Sequence, residues 1–165
     1  MIIKLTGGIL LVVCGTLCGL YAGDKLKARL CFFEDYLSFL VRVKSGIRYT
    51  ASDLNEILSL ETQNVTLKGM LDRARGGIKG GEAPERAWRY AVDNAVAKKE
   101  DRSLLYCFGD NYGALDADGE LNRLTLHEEL VRQHCSGLYE ECKTKRRLYR
   151  VVGMFGGVLT AVILI

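Results

Sequence analysis

The sequence predicts an all-α protein, a bundle of about six helices with a transmembrane helix at each end. Three observations carry this. Only one proline occurs in 165 residues, far below the ~5% of ordinary proteins, so long uninterrupted helices are favoured over a turn-rich β-sandwich. Apolar residues recur at spacings of three and four through the middle of the chain, the period of a one-sided helix. Charge is segregated: every acidic residue lies within 24–141, and every Lys and Arg except Lys4 within 25–150. A charged fraction of 26% with 48% apolar residues excludes a wholly disordered chain. A net charge of +3 gives no large basic field, so nucleic acid is not an expected partner.

Residues 5–23, LTGGILLVVCGTLCGLYAG, are nineteen consecutive uncharged residues. As a helix they span about 28 Å, close to the ~30 Å hydrocarbon core of a bilayer. A cleaved signal peptide fits less well. Cleavage requires small residues spaced A-x-A, whereas cutting after Ala22 places Leu20 at the upstream position and cutting after Gly23 places Tyr21 there. The stripe Leu26, Leu30, Phe33, Leu37, Leu40, Val43 and Ile47 follows with no breaker after Gly23, so the first span and the first bundle helix are expected to be continuous, ending around Gly46 and 50–52. Ser52 suits the N-cap of a short helix with Leu54, Ile57 and Leu58 inward. Asn64 suits the next cap, ahead of Leu67, Met70, Leu71 and Ala74.

GGIKGG at 76–81 is the clearest expected break. It is not a phosphate loop, because Glu82 and Ala83 follow where Lys and Ser or Thr are needed, and no strand precedes it. Pro84 opens another helix, with Ala87, Trp88, Ala91, Val92 and Ala95 facing the core. Leu104, Leu105 and Phe108 form a short helix that stops at Gly109. Asp116 caps the longest helix, whose seam is Leu121, Leu124, Val131, Cys135, Leu138 and Cys142. The first and last bundle helices are expected side by side.

The last segment, 151–165, is VVGMFGGVLTAVILI, apolar on every side. With Leu148, Tyr149 and a snorkelling Arg150 it reaches a spanning length. The expected organisation is therefore an N-terminal transmembrane helix at 1–23, a helical bundle at 24–147 and a C-terminal transmembrane helix at 148–165. Gly15, Gly19 and Gly23 form a double G-x-x-x-G, and Gly153 and Gly157 a single one. Such ridges let helices approach closely in lipid. They suit packing between the two spans or between copies of the chain as a homo-oligomer. Lys25, Lys27 and Arg29 flank the first span, and Lys143, Lys145, Arg146, Arg147 and Arg150 the second, all on the bundle side. The positive-inside rule then puts the bundle in the cytoplasm and both termini across the membrane.

No catalytic constellation is legible. DADGE at 116–120 fails as a calcium loop because Ala114 and Thr125 would occupy the first and twelfth positions, so a helix cap is expected there. His127, His134, Cys135 and Cys142 lie on one helix, but residues seven apart sit about 10 Å apart along its axis, too far for one zinc ion without help from elsewhere, for which Cys107 is the candidate. No metal, cofactor or enzymatic activity is expected. The six cysteines show no disulfide framework.

The residues also resemble a family. K-L-x-G at Lys4, Leu5 and Gly7, I-x-Y at Ile47 and Tyr49, SDLNE at 52–56, the pair Ala87-Trp88, and the glycine-containing apolar tail at Gly153 and Gly157 occur in the order seen in the stage III sporulation protein AB family. The most specific piece is FGDNYGALD at 108–116, similar to the family's F-G-x-x-L-G-x-x-D, with Tyr112 in place of Leu. The resemblance covers essentially the whole chain. It implies a soluble domain similar to the F-type platform protein of type II secretion, and a membrane component of the channel-like complex linking mother cell and forespore. The bundle would lie in the mother-cell cytoplasm, with the chain in the membrane facing the forespore, and would dock a secretion-type ATPase, stage III sporulation protein AA, with other channel components. It marks Phe108, Gly109, Asp110, Asn111, Tyr112, Gly113 and Asp116 as a structured turn and candidate partner surface. Asp116 is read as the cap, and Gly113 as the residue best suited to a left-handed backbone. The alternative function is a membrane-anchored regulator or sensor whose helical bundle binds a small ligand.

Overall fold

The computed structural model describes the backbone of residues 2–50, 57–59, 61–110 and 115–164, and side chains at 23–48, 57–59, 61–110 and 115–145 and at Leu17, Tyr21, Leu148, Val151 and Phe155. Five helices occur among the described residues: α1 (Ile2–Thr50), α2 (Val65–Lys79), α3 (Pro84–Ala95), α4 (Lys99–Gly109) and α5 (Ala117–Leu164). No strand occurs among the described residues, as the predicted all-α class requires. The short helix expected from Ser52 lies outside the described residues apart from 57–59, where Ile57 and Leu58 are buried. Among the described residues no helix is long and apolar enough to cross a membrane. Most side chains of the two apolar ends fall outside that description.

The chain divides into two compact units, Cys31–Cys135 and the pair Met1–Leu30 with Ser136–Ile165. In the first, α1 and α5 lie side by side. Phe33 meets His134 edge-on at 4.7 Å between ring centroids, Tyr36 meets His127, and Lys44 pairs with Glu128 at 2.5 Å. The Lys44 ammonium holds the Glu128 carboxyl below its usual pKa. The buried face of α1 is not quite the expected stripe. Leu30, Phe33, Leu40 and Val43 are buried, but Leu26, Leu37 and Ile47 are only half-buried, and Phe32, Tyr36 and Phe39 are covered instead. Aromatic rings bury more area than leucines, so the helix turns them inward.

α2 starts where Asn64 accepts the backbone N–H groups of Thr66 and Leu67 at 3.0 and 3.2 Å, and buries the expected Leu67, Met70, Leu71 and Ala74. The glycine break is narrower than its sequence suggests. Helix continues through Gly76 and Gly77 to Lys79, and only residues 80 and 81 form the turn, with Gly81 at φ 88°. Gly77 serves packing: a Cβ there would lie 2.9 Å from the Ala87 Cβ, so α3 approaches too closely for any side chain. Pro84 begins α3 as expected, and Ala87, Trp88, Ala91 and Val92 face the core, while Ala95 is half-buried.

In the second unit Gly23, Leu30 and Leu138 are buried. Arg29 lies 3.8 Å from Glu141, which also pairs with Lys145 one turn on, and the Lys25 ammonium sits 4.7 Å above the Tyr21 ring.

Candidate functional site

The corner where α4 ends and α5 begins is built from Phe108, Gly109 and Asp110 on one side and Asp116 on the other, within the described part of the FGDNYGALD segment. Phe108, 1% exposed, packs its ring 4.7 Å from Trp88 and 5.7 Å from Phe39 between centroids. Trp88 is fixed by donating its indole N–H to the Leu105 carbonyl at 2.8 Å, which satisfies the one polar atom of a buried ring. Gly109 is buried directly against that indole. A Cβ at this position would fall 2.5 Å from Trp88 Cδ1 and 2.6 Å from Cγ. The Phe-Gly pair is therefore one packing device: a large side chain fills the core and the next residue yields room for the tryptophan.

Asp110 closes α4, its N–H donating to the Tyr106 carbonyl at 3.0 Å. Its carboxylate takes a forked bond from Arg89 on α3, with contacts of 2.9, 3.1 and 3.2 Å. Arg89 also lies 3.4 Å from Glu85 and over the Tyr106 ring. The Tyr106 hydroxyl donates to Asp93, and that carboxylate raises the phenol's pKa. Asp110, expected to face a partner, is thus engaged within the chain and ties the corner to α3.

Arg123, which sequence reasoning passed over, organises the other side. Its Nη1 donates to the carbonyls of Cys107 at 2.7 Å and Asp110 at 3.1 Å, and its Nη2 to that of Phe108 at 3.1 Å. These carbonyls lie at the end of α4, where the helix ladder gives out. Glu120, 5% exposed, neutralises the guanidinium. A signal was present. Glu120 occupies the core register of Leu124, His127 and Val131, where a charge needs a partner, and Arg123 stands three residues away.

Asp116 caps α5 as expected, its Oδ1 accepting from the Gly119 N–H at 3.1 Å. A Cβ at Gly119 would press within 2.7 Å of that oxygen, so the cap and the glycine fit each other. Asn111, Tyr112 and Gly113, with the left-handed backbone expected at Gly113, lie outside the described residues.

The seam of α5 differs from expectation in its polar members. Leu124, Val131 and Leu138 are buried, Leu121, Cys135 and Cys142 are half-buried, and Glu120 and His127 take core positions. His127 and the hydroxyl of fully buried Tyr36 share a hydrogen bond of 3.0 Å. Burial, with Arg123 nearby, lowers the His127 pKa to about 4, so the ring is neutral at pH 7. Burial raises that of Tyr36 well above its usual value. His134 lies 3.0 Å from the buried Asp101 carboxylate on α4. Burial and Glu34 push the Cys135 thiol up to about 11, which keeps it protonated. The histidines considered as zinc ligands are directed to Tyr36 and Asp101.

Of the glycine ridges, Gly23 is buried. Gly15 and Gly19 lie on α1 and Gly153 and Gly157 on α5, with their surroundings outside the described residues.

The sequence model of a family described as stage III sporulation protein AB matches residues 4–165. Neither the curated proteins nor the solved structures contain a match.

Proposed function

The chain belongs to the stage III sporulation protein AB family, and from that premise we propose that it is a non-enzymatic membrane platform of the channel complex joining mother cell and forespore. The observation that carries this is the extent of the family match, 162 of 165 residues from Lys4 to the end, apolar termini included. Membership makes it a sporulation protein of stage III. The platform role, the docking of the ATPase stage III sporulation protein AA and the contact with other channel components are our reading. In it, residues 1–23 and 148–165 span the mother-cell membrane facing the forespore, and 24–147 form the cytoplasmic docking body. The polar groups of the α4–α5 corner support a structural role: Asp110, Glu120 and Arg123 are spent on bracing helices, and His127 is neutral and hydrogen-bonded to Tyr36.

The test is crosslinking and co-purification of the full chain from sporulating cells. Recovery of the ATPase with the chain is the expected result. Efficient recovery of the chain without the ATPase, but with a bound small metabolite, would replace the platform by the regulator reading.

A further inference from the structure

A groove of about 440 Å³ on α5 is lined by Glu140, Lys143, Thr144, Leu148 and Val151. It belongs to the unit made of Met1–Leu30 and Ser136–Ile165. Its character changes along the helix: a carboxylate, then an ammonium and a hydroxyl, then two apolar side chains. Leu148 and Val151 are 54% and 44% exposed. They stand where charge ends, since no charged residue follows Arg150. Residues 143–150 hold five basic residues and no acidic one. Lys145 is paired with Glu141, whereas exposed Lys143 makes no ion pair among the described residues.

The same contrast holds for whole units. The one containing the groove carries nine basic and three acidic residues, a net charge of +6. The unit Cys31–Cys135 carries fourteen basic and seventeen acidic residues, a net charge of −3. A negatively charged amphiphile is therefore attracted to the groove's unit and repelled by the other.

We infer that this groove seats an acidic phospholipid, with Lys143 and Thr144 holding the headgroup phosphate and Leu148 and Val151 lying against the start of an acyl chain. Lys143 and Val151 are separated by about 12 Å along the helix. That covers a headgroup layer of roughly 6 Å and the first part of the hydrocarbon. Charge complementarity selects the occupant: a basic residue near an anionic membrane surface strengthens binding about fivefold, and a zwitterionic headgroup gains little of this. Glu140, one turn from Lys143, repels a phosphate displaced towards it and so limits the position of the headgroup. The inference rests on the membrane reading of the proposed function.

The experiment separates the two. Full-length chain is reconstituted in phosphatidylcholine vesicles and floated after alkaline carbonate washing, which reports insertion alone. It is then placed in nanodiscs of equal phosphatidylcholine and phosphatidylglycerol, and the retained lipid is identified by native mass spectrometry. Flotation in phosphatidylcholine is expected, together with retained phosphatidylglycerol whose enrichment falls about fivefold in Lys143→Gln and is unchanged in Lys99→Gln. Lys99 is exposed on the acidic unit and serves as the control. Failure to float overturns the membrane reading and the lipid site together. Flotation with no phosphatidylglycerol preference, or with equal loss in both variants, overturns the site alone. Complete displacement of the lipid by millimolar inorganic phosphate would show a free-anion site and likewise overturn it.

Discussion

At Gly109 a side chain is excluded by a ring rather than by the backbone. The nearest obstacle to a Cβ is the Trp88 indole at 2.5 Å, and that indole is tied to the Leu105 carbonyl and packed on Phe108. Gly109→Ala is expected to cost about 2 kcal/mol, as overpacking in a filled core does. Chemical denaturation of the full chain in detergent checks this, and a loss below about 0.5 kcal/mol would mean the indole can move aside. His127 gives a pH signature. Its folded pKa of about 4 lies below the ordinary 6.5. The unfolded chain takes up the proton first, so this contribution is complete above about pH 6.5 and is lost as pH falls towards 4. Its size is on the order of 3 kcal/mol. His127→Gln should flatten the fall in stability between pH 7 and 4.5 relative to the parent chain. Parallel profiles would show that the ring is hydrated. That a glycine follows Phe108 was legible in the motif, but the reason was not, because the ring that demands it stands 21 residues earlier in the chain.

Helix starts were the most legible elements. Asn64, Pro84 and Asp116 act at the N-termini expected of them, because a cap depends on atoms within three or four residues. Asp116→Ala should therefore cost about 1 kcal/mol, and Asp116→Asn much less, since either side chain offers the same acceptor oxygen. Thermal unfolding of the two variants side by side tests this, and equal losses would mean that charge rather than the cap bond matters. Helix ends were less legible. The glycines at 76 and 77 read as a break, yet the helix continues through them, and Gly77 leaves the space that α3 occupies. The end of α4 is completed by Arg123, fourteen residues beyond Gly109 and on another helix. No local pattern announces such a partner, although a charged residue in an apolar register at Glu120 was a usable hint.

For the molecule as a whole, the testable statement is orientation. Eight basic residues flank the two apolar ends on the bundle side, which places residues 24–147 in the cytoplasm under the proposed topology. Cys107 is exposed and Cys135 half-buried, so Cys107 is the better reporter. A variant retaining only Cys107 should resist a membrane-impermeant thiol reagent in intact cells and react after permeabilisation. Labelling without permeabilisation would reverse the orientation.

The sequence by itself determined the helical class, the order of the described helices, the caps at Asn64 and Asp116 and, apart from Ala95, the inward faces of α2 and α3. Each of these depends on spacing within a few residues, and helical period and capping are local physics. Family membership was also legible, from short motifs kept in order along the whole chain. Only the tertiary structure decided what the central motif does. Phe108, Gly109 and Asp110 take their roles from Trp88 and Arg89 on α3, and the carbonyls beside them take their partner from Arg123 on α5. It likewise decided that Tyr36, Glu120 and His127 belong to the core, positions an apolar pattern leaves out. A buried polar group is stable only when a partner reaches it, and here the partner is supplied by packing or by a neighbouring turn rather than by the apolar period.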